Sequence, residues 1–335
     1  MKKKPQLLAI NADKADHLTA KGKISTLLRG HISTAANGTR RLSSETVEIR
    51  MNTLFMVVDQ LKEGGFAITD IGRLQQKHLY YLARRWEAEG LSAGTLQNRW
   101  SILKTLLEKW YGRKGSINKL STYLLDPSRA DRTYIATEDK SWSAKVDYEM
   151  IFKMVYAKDR YVGDQLRMML LFGLRKKEAI MFQPLLCDLG DIISITTGTK
   201  GGRHRWVEVT TPEQRQFLDE LRSRCRNRSE HLGNPSRTLE QNLARFENVL
   251  AALKITKKGM GISSHGLRHQ FANDLIEKMT GQPTPVRAGG VPIDRERFEE
   301  AREHATRALG HGRTSITSAY HGSVRKPRQT ESDGY

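Results

Sequence analysis

Cysteine is nearly absent from this chain. Only Cys187 and Cys225 occur, in unrelated contexts. That excludes a disulfide scaffold and fits a reducing cytoplasm. Long apolar runs are missing too. The longest, Met168–Leu174, falls far short of the roughly 20 residues a membrane span needs. The opening MKKKPQLLAI turns polar at Asn11, which reads as no secretory leader. Ten histidines are present, yet none joins cysteines or carboxylates at zinc-binding spacing. No Walker-type glycine loop and no paired carboxylates stand out, so neither metal nor nucleotide cofactor is expected. Acidic residues are scarce as well: 37 Asp and Glu face 56 Lys and Arg, a net charge of +19. Such an excess predicts an anionic partner. Nucleic acid leads, because each phosphate contact releases counterions. A membrane surface would account for the charge and nothing else.

The charge is not confined to one tail. Residues 1–43 carry nine Lys/Arg against two Asp, and the remaining excess is spread over sequence with folded patterning. Residues 1–43 read as a basic, partly disordered arm with a short helix near 24–28. From Ser44, Val47, Met51, Leu54, Phe55, Val58 and Leu61 recur at steps of three and four until Gly64-Gly65, the mark of an amphipathic helix with a glycine stop. A second helix is expected near 74–89, ending at Gly90. A third follows Ser92 through Leu96, Trp100, Leu103, Leu107 and Trp110 to Gly112. Basic residues on these helices, Lys77, Arg84, Arg85, Arg99 and Lys104, suit a DNA backbone; the plainer reading of each is a solvated helix face. Residues 113–145 are polar, contain Asp126-Pro127 and read as a linker.

A second domain is expected over 146–321. Helices are predicted near 148–157, 164–172, 212–226, 239–253, 264–278 and 294–309. Between them, 191–197 and 205–209 alternate and are rich in Ile, Val and Thr, so they read as a hairpin whose turn holds Gly198, Gly201 and Gly202. A polar tail fills 322–335. The expected fold class is mainly α with a small antiparallel sheet (α+β).

Four segments of the second domain belong together: LFGLRKKEA at 171–179, TGTKGGRHRW at 197–206, SHGLRH at 264–269 and LGHGRTSITSAY at 309–320. They supply Arg175, Lys200 in a glycine turn, His265 and Arg268 at i and i+3, and His311 nine residues before Tyr320. No fold requires this set. A phosphodiester does. A guanidinium can hold two non-bridging oxygens at once, and an imidazole exchanges protons near neutrality. A phenol can attack if its phenolate is favoured in the transition state.

The order and spacing resemble the tyrosine recombinase family, the phage and mobile-element integrases and the Xer-type resolvases, in register from Asp147 to His321. The resemblance implies a helical core-binding (SAM-like) domain over 44–112 and a catalytic domain after it. It implies that Arg175 and Arg268 clamp the phosphate and that Glu178 orients a neighbour. Lys200 would protonate the departing 5′ oxygen, and His265 would assist deprotonation of the tyrosine. His311 would donate to the scissile phosphate, and Tyr320 would be the nucleophile. Arg203 and Arg205 are read as further DNA contacts, and His269 as a core histidine. The implied activity is site-specific integration, excision or inversion of a mobile element through a 3′-phosphotyrosyl intermediate. Its implied partners are double-stranded DNA attachment or recombination sites, a homotetramer on paired sites and an accessory directionality factor, with no membrane. Its implied location is the cytoplasm, on the nucleoid. A type IB topoisomerase-like enzyme, a telomere-resolving enzyme and a catalytically silent DNA-binding protein are the alternatives. Two departures stand out. Arg268 and His311 lie 43 residues apart, which reads as an insertion over 281–303, expected to contact another protomer. Only fifteen residues follow Tyr320, with no evident C-terminal helix.

Overall fold

A computed structural model describes residues 18–35, 41–289 and 293–324. The arm before Leu18 and the tail beyond Val324 lie outside the described residues. The chain divides into two compact units, 1–132 and 133–335, each with its own core.

The first unit is helical. It contains α1 (Ala20–Leu27), α2 (Arg29–Ile32), α3 (Ser44–Glu63), α4 (Gln76–Ala88) and α5 (Ala93–Lys104). The Ser43 side chain caps α3 by accepting from the amide of Thr46, and Ser92 caps α5 in the same way through Thr95. Helix α5 runs on into a π-helical turn, Thr105–Trp110, that keeps Leu106, Leu107 and Trp110 all buried. Two expectations need correction here. The end of the supposed arm is part of the core: Ile24, Leu28 and Ile32 are buried beside Leu54 and Leu61. Much of the supposed linker is core as well, since Ile117, Leu120, Tyr123 and Leu124 pack against Trp100 and Leu103. They do so from bends and turns around one short 3₁₀ helix, Leu120–Thr122, which show no helical period in sequence.

The second unit contains α6 (Tyr148–Lys158), α7 (Arg160–Phe172), α8 (Lys176–Met181) and α9 (Pro184–Cys187). A hairpin follows, β1 (Ile192–Ile195) with β2 (Arg205–Glu208), paired antiparallel from Ile192↔Glu208 to Ile195↔Arg205. Then come α10 (Pro212–Arg224), α11 (Leu239–Ala252), α12 (His265–Thr280), α13 (Arg295–Ala308) and α14 (Thr314–His321). Helix α12 lies against α7, α13 and α14. It also carries the preceding segment: the Trp142 indole donates to the Ser263 carbonyl at 2.7 Å, and a Cβ on Gly266 would fall 2.6 Å from the Lys140 carbonyl oxygen. So 139–146, the other end of the supposed linker, belongs to this unit.

The insertion folds onto its own unit. Phe298, Ala301 and Ala305 of α13 bury against Ile276 of α12. The loop before it is pinned by Arg287, which pairs with Asp139 (2.8 Å), Asp274 (2.7 Å) and Glu277 (2.8 Å).

Candidate active site

Helix α7 ends at Gly173, whose left-handed φ of +60° turns the chain. Leu174 is buried and Arg175 becomes the cap of α8. Glu178, one turn on, reaches back. Its Oε2 accepts the Arg175 amide at 2.7 Å, and its Oε1 accepts Arg175 Nη1 at 2.7 Å. Glu178 is buried and takes a second guanidinium, Arg205 Nη2, at 2.6 Å. Burial alone would raise the carboxyl's pKa; Arg205 and Arg175 outweigh it and hold it below the usual range.

Residues i, i+3 and i+4 of α12 put His265, Arg268 and His269 on one face. Arg268 is fully buried, 0% exposed. Its guanidinium donates to the carbonyls of Gly173 and Leu309 and to His311 Nε2, the last at 3.1 Å. Its Nε donates to the Tyr320 hydroxyl at 3.2 Å. Arg175 Nη2 shares the Leu309 carbonyl at 3.3 Å. One backbone oxygen therefore fixes both guanidinium groups.

Tyr320 sits in the last turn of α14, 6% exposed. Three imidazoles surround its ring: His269 at 4.6 Å, His311 at 5.4 Å and His265 at 5.6 Å between centroids. Burial and then Arg268 push His311 down to about 3. Burial and then Lys140 push His269 down to about 4. His265 moves the same way, by desolvation and then His269, although its outer edge stays open to solvent. All three rings are neutral at pH 7. In His311, Nε2 accepts from Arg268, so the neutral ring carries its proton on Nδ1, free to donate.

The backbone of α14 is held from two sides. The Ala136 amide donates to the Ser318 carbonyl at 2.9 Å, and the Val286 amide to the His321 carbonyl at 3.2 Å. Asn273 Nδ2 lies 3.5 Å from the Tyr320 carbonyl.

The structure thus brings Arg175, Glu178, His265, Arg268, His311 and Tyr320 together. Lys200 stands apart: it is exposed in the β1–β2 turn, and among the described residues it makes no hydrogen bond or ion pair. Arg203 is exposed beside the His311 loop, where a Cβ on Gly312 would fall 2.1 Å from its Nη1. Arg205, expected at the DNA surface, is instead 3% exposed and spends its guanidinium on Glu178 and the Ala308 carbonyl. The β-strand alternation carries the signal: Arg205 and Val207 face in while Trp206 faces out. His269 was also underread; its i+4 spacing from His265 places it against the tyrosine. In the first unit, Lys77, Arg84 and Lys104 are exposed. Arg85 pairs instead with Glu63 and Glu89, and Arg99 lies over the Trp86 ring near Glu89. These two arginines serve their own unit rather than standing free for a backbone. Among the described residues no group of His, Cys, Asp and Glu is arranged to hold a metal, and no helix is long and apolar enough to cross a membrane.

A model of the phage integrase N-terminal domain matches residues 27–117, and one described as integrase matches residues 132–274. The fold is similar to that of the Tn1549 transposon integrase, solved with circular intermediate DNA. That alignment covers 92% of this chain and 96% of the other, at a TM-score of 0.56 and 14% identity. Lambda integrase, solved as a dimer on a COC′ core site, aligns over 88% of this chain and 76% of its own, at a TM-score of 0.57 and 13% identity. Its tetramer on a Holliday junction gives a TM-score of 0.56 over the same shares, at 13% identity. Identities this low show a common fold. No curated protein sequence matches this chain.

Proposed function

The chain belongs to the tyrosine recombinase family of phage integrases, and from that premise we propose that it cuts and rejoins double-stranded DNA at specific sites through a 3′-phosphotyrosyl intermediate on Tyr320. The observation that carries the reading is the hydrogen bond from buried Arg268 to the Tyr320 hydroxyl, beside Arg175 and His311. The phosphate clamp and the nucleophile are one cluster.

The scissile phosphate would take the two guanidinium groups on its two non-bridging oxygens, one of which would also accept the Nδ1 proton of His311. Tyr320 Oη then attacks phosphorus. Its proton passes to a neutral imidazole, His265 or His269; burial keeps both unprotonated and also makes them weaker bases, so the transfer depends on the phenolate being favoured as it forms. Arg268 stabilises the phenolate as it forms. The bond to the 5′ oxygen breaks, and that oxygen leaves as a hydroxyl with a proton from Lys200. The phosphotyrosyl bond keeps the energy of the phosphodiester, so a 5′ hydroxyl from a partner strand can reverse the step. Proposed partners are recombination or attachment sites of a mobile element, paired by a homotetramer of this chain; lambda integrase has been solved as such a tetramer on a junction. An accessory directionality factor and a nucleoid location complete the proposal.

Tyr320→Phe tests the nucleophile. The variant keeps the ring and its three imidazole neighbours and loses only the attacking oxygen. Covalent trapping on a nicked suicide substrate should vanish while DNA affinity stays within about twofold, since a ring-conserving change leaves the phosphate contacts in place. An adduct that persists in the Phe variant would show that another residue attacks.

A further inference from the structure

Arg205 has more partners than its position in a hairpin requires. It stands in the last rung of the β1–β2 ladder, opposite Ile195, and the turn bearing Lys200 springs from that rung. Its guanidinium crosses to Glu178, which holds Arg175, and to the Ala308 carbonyl. Its stem lies flat on Gly310: a Cβ there would fall 2.4 Å from Arg205 Cδ. Gly310 sits at a φ of +64° in the loop that delivers His311. One side chain therefore ties three parts of the site that chain connectivity leaves independent: the Lys200 turn, the Arg175–Glu178 pair and the His311 loop.

We infer that Arg205 is a positioning residue that registers the Lys200 turn against the phosphate clamp, so that the proton donor meets the 5′ oxygen held there. The inference rests on the strand-transfer reading above. A lone turn lysine explores its full reach; fixing the rung it springs from narrows that range to the side where the clamp lies. Charge alone does not perform this role. The planar fork reaches Glu178 and Ala308 together, and an ammonium has no second arm in a fixed geometry.

The experiment compares two nicked suicide substrates, one with an ordinary phosphodiester and one with a bridging 5′-phosphorothiolate, whose thiolate leaves without a proton. The wild type, Lys200→Ala, Arg205→Ala and Arg205→Lys are each measured on both, with a melting curve for every variant. Losing a general acid costs on the order of 100-fold or more. Lys200→Ala should show that loss on the oxygen substrate and recover most of it on the sulfur substrate. Both Arg205 variants should show the same selective recovery, smaller in Arg205→Lys, and the Lys200→Ala/Arg205→Ala double variant should lose little beyond Lys200→Ala alone. Arg205→Lys retains the charge, so it reads the proposal even if Arg205→Ala unfolds. Equal losses on the two substrates would place Arg205 with the clamp alone and overturn the inference, as would wild-type rates. If Lys200→Ala itself shows no selective recovery while the wild type forms its adduct, the inference falls and the strand-transfer reading stands. If the wild type forms no adduct on either substrate, both fall.

Discussion

Arg268 is a buried cation without a carboxylate of its own. Glu178 is shared by Arg175 and Arg205, and Arg268 has only carbonyls, an imidazole and a phenol. Burial pushes it down to about 10, and it lowers His311 in turn. These depressed imidazoles give a pH signature. His269, His311 and also His321, fully buried against Phe298, stand at about 4, 3 and 4 in the folded protein. The unfolded chain takes up these protons near pH 6.5, and the native protein refuses them. Between about pH 6.5 and 4 the unfolded state binds more protons, so stability falls as pH falls, by about 1.4 kcal/mol per pH unit for each imidazole. Glu178, held low, adds its loss only below the ordinary carboxylate range. Denaturant unfolding at pH 7.5, 5.5 and 4.5 should show the decline starting above the carboxylate range, and His321→Phe should flatten its share. A profile level from pH 7 to 5 would count against this assignment.

At the scale of elements, the loop between α13 and α14 is fixed by what lies on it. Gly310→Ala should destabilise the second unit by about 1–2 kcal/mol from the left-handed backbone alone, and should displace Arg205 as well. A lowered melting temperature with a larger loss of cleavage is the expected pair of results; an unchanged melt would show that the loop yields. The same contrast explains what was legible in the sequence. Arg175, His265, Arg268, His311 and Tyr320 lie in short segments whose spacing survives folding, so sequence order was enough to group them. The helices from Ser44 to Lys104 carried their own caps and stops. Arg205 was misread because its partner lies 27 residues back on another element, and no local pattern joins them. Ile117, Leu120 and Tyr123 read as linker because bends and a single 3₁₀ turn have no amphipathic period. The insertion was visible as extra length. That it turns inward depends on Arg287 meeting Asp139 from a segment 148 residues earlier.

Each unit has its own main core, and the charge of +19 is distributed over both units. Binding to DNA should therefore weaken steeply with salt, with a log–log slope of about −0.9 for each phosphate neutralised. A fragment from Thr133 onward should bind more weakly than the full chain and with a shallower slope, as read by titration at several salt concentrations. Equal affinity of the two would assign the first unit to protein contacts instead.

Helix α14 is eight residues long, too short to persist on its own. It is ordered by an amide at Ala136, another at Val286 and the face of α12. Arg175, Arg268 and His311 all precede this helix in the chain; Tyr320 is the last part of the site to be synthesised and the last that can dock. A nascent or prematurely terminated chain therefore carries both arginines and no Tyr320. In genetic terms, and on the proposed function, a stop codon just upstream of Thr314 should make a competitor rather than a blank: a protein expected to occupy the sites of its full-length siblings without breaking a strand, which a mixed-expression recombination assay would show as a dominant loss.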